Sequence, residues 1–173
     1  MMHKKIGQIW IETVVYTIIG LTLIGVVLTF VTPKINEARD RSIVEQSIAS
    51  LQILDDKVNE VYTQGIGSRR IISSFSLKRG TLTISDASDQ IVLTLDGLSV
   101  PYSEPGIAVP YGRVLVLSTP GGKATTVTLT LDYSSSSSNP INIIYSGKPL
   151  TAGSIPYRLA VEHKATGVDL LKL

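Results

Sequence analysis

The feature that most constrains this chain is residues 13–31, a run of 19 amino acids without a charged side chain. As an α-helix rising 1.5 Å per residue, the run is about 28 Å long, close to the ~30 Å thickness of the hydrocarbon layer in a bilayer. A soluble helix of this length would present a polar face to water, whereas the most polar residue here is threonine. The run therefore predicts a membrane-spanning helix.

The flanks of the apolar run indicate that it stays in the mature protein. A conventional secretory signal has a shorter apolar region of ~7–15 residues, followed by a cleavage site of small residues. The run found here is longer, and Thr32, Pro33 and Lys34 after it offer no such site. We therefore expect the hydrophobic segment to be retained.

Residues 4–12 match a known pattern. Lys4 and Lys5 precede Gly7 and Gln8, and Glu12 is the fifth residue after the glycine. This arrangement resembles the class III signal peptide of archaeal type IV pilins. The resemblance implies that a prepilin-type peptidase cuts between Gly7 and Gln8 on the cytoplasmic side. Residues 1–7 would then be the signal peptide, and the apolar helix would remain in the product.

Glu12 has two interpretations. It lies in the first turns of the predicted helix, where a carboxylate interacts favourably with the helix dipole by about 0.3–1 kcal/mol. The resemblance implies a different role, in which this glutamate meets the free amine of a neighbouring processed subunit during assembly. A charge within an apolar span is costly unless it has a partner, which makes it a candidate functional residue. Both interpretations remain open on the sequence.

The orientation of the span does not follow from the positive-inside rule alone. Two lysines precede the span, and Lys34, Arg39 and Arg41 follow it. The resemblance implies that residues 1–7 are cytoplasmic, that residues 8–32 cross the membrane, and that everything after about Thr32 is extracellular. The expected protein is a single-pass membrane protein that reaches a cell-surface filament after assembly.

A second helical segment is predicted for residues 33–64. Apolar residues recur every three or four positions, with charged residues between them, which is typical of an amphipathic helix that packs on a sheet. The stripe consists of Val44, Ile48, Leu51, Leu54, Val58 and Val61. Pro33 is expected to kink or interrupt the helix, because it lacks an N–H group. Gly65 is placed to end it as a C′ residue.

From Arg69 onward the apolar period changes from 3.6 to 2, which indicates β-strands. Roughly eight short strands are expected, with glycine-containing turns between them. The clearest strands are residues 81–84, 90–95, 113–117, 126–131, 141–145, 157–161 and 168–173. The predicted fold class is α+β: a long amino-terminal helix, transmembrane and then amphipathic, followed by an antiparallel β-sandwich head at residues 65–173. Such a fold is also the pilin shape.

Composition argues against several classes of site. There is no cysteine, and His3 and His163 are the only histidines, so thiolate and multi-histidine metal sites are excluded. His163 in an alternating strand is expected to face solvent. Removal of residues 1–7 leaves 14 basic against 14 acidic residues, which argues against nucleic acid as a partner. We expect no catalytic residue, no metal and no cofactor.

Two functions are consistent with these observations. The first is a structural subunit of a type IV pilus-like surface filament, with the prepilin-type peptidase, membrane lipid and other copies of the chain as partners. The alternative is a single-pass membrane protein that presents an extracellular β-sandwich binding module and does not polymerise. The state of the Gly7–Gln8 bond discriminates between them, because a plain anchor keeps its two lysines.

Overall fold

The structure is a computed structural model that describes residues 4–122, 124–135, 137 and 140–173, with side chains described from residue 10 onward. Helix α1 spans Lys4–Gln64 and is followed by β-strands. A first compact unit ends at Arg39, and a second spans Asp40–Leu173. The predicted α+β class is confirmed, with one long apolar amino-terminal helix before sheets of mainly antiparallel strands.

Pro33 lies inside α1 and does not end it. Its ring nitrogen cannot donate to the carbonyl four residues earlier, so one backbone hydrogen bond of the helix is missing. The helical hydrogen bonds on both sides are retained, and the Thr32 hydroxyl donates to the Leu28 carbonyl at 2.7 Å in the turn before the proline. Of the two outcomes expected for Pro33, a kink or an interruption, the interruption does not occur.

The carboxyl end of α1 is fixed by a glycine and a serine. Gly65 has a positive φ of 88°, a conformation that favours glycine, and its N–H donates to the Tyr62 carbonyl at 3.2 Å. The Ser68 hydroxyl donates to the Val61 carbonyl at 2.6 Å, which pairs one of the last carbonyls of the helix. The predicted C′ position of Gly65 agrees with this geometry.

Ten strands follow the helix among the described residues. Three of them are absent from the strands recognised in the sequence: Arg69–Phe75, Ala108–Tyr111 and Leu150–Thr151. The strands are β1 Arg69–Phe75, β2 Thr81–Ser85, β3 Gln90–Leu98, β4 Ala108–Tyr111, β5 Val114–Pro120, β6 Thr125–Asp132, β7 Ile143–Ile144, β8 Leu150–Thr151, β9 Tyr157–Lys164 and β10 Gly167–Lys172.

The strands form two sheets. One has four strands in the order β1-β9-β10-β7, and the other has six in the order β4-β5-β6-β3-β2-β8. Every pair is antiparallel except β10 with β7. The parallel pair is possible because β8 and β9 lie between these two strands in sequence and supply the long connection that parallel neighbours need.

One hydrophobic core joins the helix and both sheets. All six residues of the predicted helical stripe are at most 6% exposed. They pack in one cluster with alternating residues of β3 and β6 and with the buried residues of β9 and β10. Full burial of each large aliphatic side chain contributes about 1.5–3 kcal/mol. The carboxyl-terminal half of α1 is therefore part of the core of the second unit.

Two aspartates on this half of α1 are buried, although the sequence pattern places them among the exposed charges. Asp40 and Asp55 are each 6% exposed. The Asp40 carboxylate accepts hydrogen bonds from the Ser99 amide at 2.7 Å and the Ser99 hydroxyl at 2.6 Å, and it pairs with Arg79 at 2.8 Å. Each acidic group is thus compensated by donors from the β region.

Candidate functional site in the amino-terminal helix

The amino-terminal part of α1 has an apolar surface that its own chain does not cover. Large apolar side chains from Trp10 to Val31 are between 40% and 73% exposed. The most apolar stretch within Trp10–Gln64 has a mean hydropathy of 2.5, and none of it is buried. In the described part of the chain, this is the one helix long and apolar enough to cross a membrane.

Four threonines of this stretch have hydroxyl groups that are hydrogen-bonded within the helix. Each one donates to the backbone carbonyl four residues earlier, at 2.7–2.9 Å. The bonds join Thr17 to Thr13, Thr22 to Ile18, Thr29 to Gly25 and Thr32 to Leu28. A hydroxyl that is already bonded costs little to place in hydrocarbon, so these residues are compatible with a span.

Glu12 is the single charged side chain among described residues 10–33. It is exposed and forms no ion pair with any described residue. Tyr16, one helical turn further on, lies on the same face and is 64% exposed.

The backbone of Lys4, Lys5, Gly7 and Gln8 lies within the first turns of α1. The side chains of the two lysines and of Gln8 are outside the described part of the chain. Gln8 and Glu12 are four residues apart, so they share one face of the helix and are separated by about 6 Å along its axis. The structure thus brings the Gln8 backbone and the Glu12 position together on one face.

No protein-family model, curated protein or solved structure matches this chain.

His163 is half-buried, although it was expected to face solvent. Its ring lies 5.3 Å from the ring of Tyr62, centroid to centroid. Its backbone carbonyl accepts a hydrogen bond from Gly67 at 2.8 Å, and its N–H donates to Ser68 at 2.9 Å. These contacts attach the turn after α1 to β9, which is a packing role. Among the described residues, no group of three or more His, Asp or Glu side chains is placed to hold a metal ion.

The buried aspartates are the polar residues that sequence reasoning missed. A signal for them was present, because Asp40 is four residues before Val44 and Asp55 is four residues after Leu51, both on the apolar stripe. A charge at a stripe position indicates a buried, partnered carboxylate as readily as the edge of an exposed face.

Proposed function

We propose that this protein is a structural subunit of a type IV pilus-like surface filament, with a β-sandwich head carried on its helix. The observation that carries the proposal is the uncovered apolar helix with a lone carboxylate, Glu12, in its first turns. A filament whose core consists of packed amino-terminal helices would cover this surface and supply the missing partner. No catalysis and no cofactor is required for this role.

Processing comes first in the proposed sequence of events. The chain inserts with residues 1–7 in the cytoplasm and the head outside, and a prepilin-type peptidase cuts between Gly7 and Gln8. The cut removes Lys4 and Lys5 and leaves a free amine on Gln8. Native protein should therefore have Gln8 as its first residue by intact mass, and Gly7→Val should leave the amino terminus uncut.

Assembly then depends on charge. The new amine of Gln8 in one subunit pairs with Glu12 of a neighbour, where both groups are removed from water. An unpartnered ion in a membrane or a protein interior costs several kcal/mol, so the pairing favours lateral addition of a subunit at the correct depth. Within one subunit, Glu12 has no partner among the described residues.

The edges of the two sheets support a helix-driven rather than a strand-driven filament. The outer strand β4 contains Pro110, and β7 and β8 have two residues each. The remaining edge, β1, begins with Arg69 and Arg70 and has an irregular register between Ile72 and Phe75. Proline, short strands, charge and irregular register all discourage strand addition from another chain. Polymerisation is therefore left to the helix.

The test is the distribution of Glu12 variants between cell membranes and sheared surface filaments. Glu12→Leu and Glu12→Gln should still insert and be cut, yet remain in the membrane fraction. Ile11→Leu, a change at the neighbouring exposed position, is the matched control and should appear in the sheared fraction like the wild type. Equal amounts of Glu12→Leu and wild type in that fraction would contradict the assembly role. Absence of wild type from it would favour the anchored binding module that does not polymerise.

A further inference from the structure

The loop between β8 and β9 carries the most exposed large apolar side chain of the described residues. Ile155 is 81% exposed and lies between Ser154 and Pro156. With Tyr157 and Leu173 it lines an open depression of about 480 Å³. The depression contains no acidic side chain.

Two cationic side chains line the depression together with this isoleucine, and a third belongs to a segment that is hydrogen-bonded to the same loop. Arg158 and Lys172 line the depression, and the Lys172 ammonium lies 4.7 Å from the centre of the Tyr157 ring. Lys78 follows Leu77, whose carbonyl accepts a hydrogen bond from Gly153 of the same loop. All three cations are exposed, and none is in an ion pair with a described residue. We refer to Lys78, Ile155, Arg158 and Lys172 as the Ile155 patch.

The patch lies at the end of the second unit where the chain enters it. Arg79, next to Lys78, pairs with Asp40, the first residue of that unit. Residues 33–39 connect the predicted span to Asp40. Even fully extended, seven residues reach no more than about 24 Å, so the chain cannot carry this end of the unit far from the bilayer.

We propose that the Ile155 patch docks on the anionic headgroup surface of the membrane in which the chain is anchored. Lysine and arginine side chains are attracted to anionic lipids, and an exposed isoleucine beside them can enter the boundary between headgroups and acyl chains. The depression is lined by Arg158 and Lys172 and by no acidic side chain, so the side-chain charge there favours this contact. The proposal needs the span but not the filament, so the outcome for Glu12 does not decide it.

The absence of cysteine allows one fluorescent label to be placed anywhere in the full chain. An environment-sensitive dye on Ser154→Cys reports on the patch. The control site is Ala87→Cys in the turn between β2 and β3. This turn is separated from the Lys78 end of β2 by the length of that strand, about 17 Å. Nanodiscs with one copy of the chain are prepared from phosphatidylglycerol or phosphatidylcholine, each with a quencher attached to lipid. We expect quenching of the dye at position 154, but not at 87, in phosphatidylglycerol, and its loss in about 0.5 M salt.

Charge reversal then identifies the groups responsible. Arg158→Glu and Lys172→Glu should each lower the docking equilibrium constant roughly fivefold or more. The matched change Lys148→Glu, at an exposed lysine outside the patch, should leave it unaltered. Ile155→Ser should reduce quenching without removing its salt dependence.

Two results would overturn the proposal. One is equal quenching at positions 154 and 87, or quenching at 154 that does not depend on lipid charge. The other is a spectral change at 154 that occurs only in discs holding two copies, in either lipid. That second result would assign the patch to a contact between copies of the chain.

Discussion

At the scale of single residues, three side chains converge on the carboxylate of Asp55. The Tyr133 hydroxyl donates to it at 2.6 Å and the Asn59 amide at 2.9 Å, while the Arg113 Nε lies 3.2 Å away. The Arg113 guanidinium also lies 5.2 Å from the centre of the Tyr133 ring. Burial and the adjacent Asp55 carboxylate both raise the pKa of the Tyr133 hydroxyl, so Tyr133 stays a neutral donor. This cluster connects α1 to β6 and its neighbours.

Loss of Asp55 should be costly because the buried Tyr133 hydroxyl would lose its acceptor and the Arg113 guanidinium would lose the carboxylate beside it. We expect Asp55→Ala to lower the free energy of unfolding by about 3 kcal/mol, and Tyr133→Phe by about 1 kcal/mol. The neighbouring exposed change Asp56→Ala should stay within about 0.5 kcal/mol of wild type. Chemical unfolding followed by circular dichroism measures all three. If Asp55→Ala and Asp56→Ala had the same effect, the cluster would contribute nothing to stability.

At the scale of elements, the start of β2 depends on Gly80. Its φ is +85°, and a Cβ added there would lie 2.0 Å from the Thr94 carbonyl oxygen in β3. Gly97 also has a positive φ, +74°, but an added Cβ would contact nothing within 4 Å. Substituting each glycine in turn therefore separates the destabilisation caused by an unfavourable backbone conformation from that caused by a steric clash.

We expect Gly97→Ala to destabilise the protein by about 1–2 kcal/mol through backbone strain alone. Gly80→Ala should lower the stability clearly more. The atom that a methyl group would clash with is the backbone carbonyl oxygen of Thr94 in the paired strand β3, so β2 and β3 must separate to admit it. Thermal melts of both variants test the difference. An equal shift in Tm would mean that the hairpin relaxes around the methyl group at little cost.

The elements also show what the sequence pattern could and could not predict. Segments with strict alternation, such as β6 and the first six residues of β3, were recognised because the residues of one face are more deeply buried than those of the other. The burial of β1 does not alternate, β4 contains a proline, and β8 has two residues, so none gives a period-2 signal. Asp96 and Gly97 resemble a turn but lie in β3, at a shift in register between Leu95 and Leu98.

The candidate site could be predicted from the sequence, whereas the burial of the two carboxylates could not. The apolar run and Glu12 are properties of adjacent residues and can be read from the sequence. The burial of Asp40 and Asp55 depends on donors far along the chain, since Arg79 is 39 residues from Asp40 and Tyr133 is 78 residues from Asp55. Local periodicity carries no information on such partners.

At the scale of the whole molecule, two carboxylates connect folding to pH. Hydrogen bonds from Lys57 and Arg70 lower the pKa of Glu60 to about 2. Burial opposes ionisation of Asp40, but the hydrogen bonds from Ser99 and the charge of Arg79 outweigh it and hold the pKa of Asp40 below its ordinary value of 3.8. A carboxyl group with a lowered pKa in the folded state stabilises that state above its unfolded pKa, and this contribution is lost as pH falls through the folded value.

Stability should therefore decline as the pH falls from about 5 to about 2. Asp40→Asn should be less stable than wild type at neutral pH, and its Tm should depend less steeply on pH over this range. Asp86→Asn, at an exposed position in the turn between β2 and β3, serves as the control and should keep the wild-type slope. Melting curves recorded at a series of pH values make the comparison. An unchanged slope in Asp40→Asn would remove Asp40 from the acid response.

The final prediction concerns which part of the chain folds by itself. The six apolar residues of the stripe on α1 are at most 6% exposed, and at about 1.5–3 kcal/mol each they contribute on the order of 10 kcal/mol. That amount is comparable to the whole stability of a typical domain, ~5–15 kcal/mol. A chain beginning at Lys34 should therefore be soluble and melt cooperatively, whereas one beginning at Gly65 should aggregate or show no cooperative transition.

A peptide of residues 40–64 supplies the control for that comparison. Added to the chain that begins at Gly65, the peptide should restore a cooperative melt. It returns the apolar stripe to the core and supplies Asp55, which accepts the hydrogen bond from the Tyr133 hydroxyl. The same peptide with Leu51 and Leu54 replaced by serine should not, since it keeps Asp55 but loses two fully buried side chains. Circular dichroism and light scattering measure both mixtures. A chain beginning at Gly65 that melts cooperatively at the same Tm as the longer chain would show that the strands form a sufficient core, and that the helix only covers it.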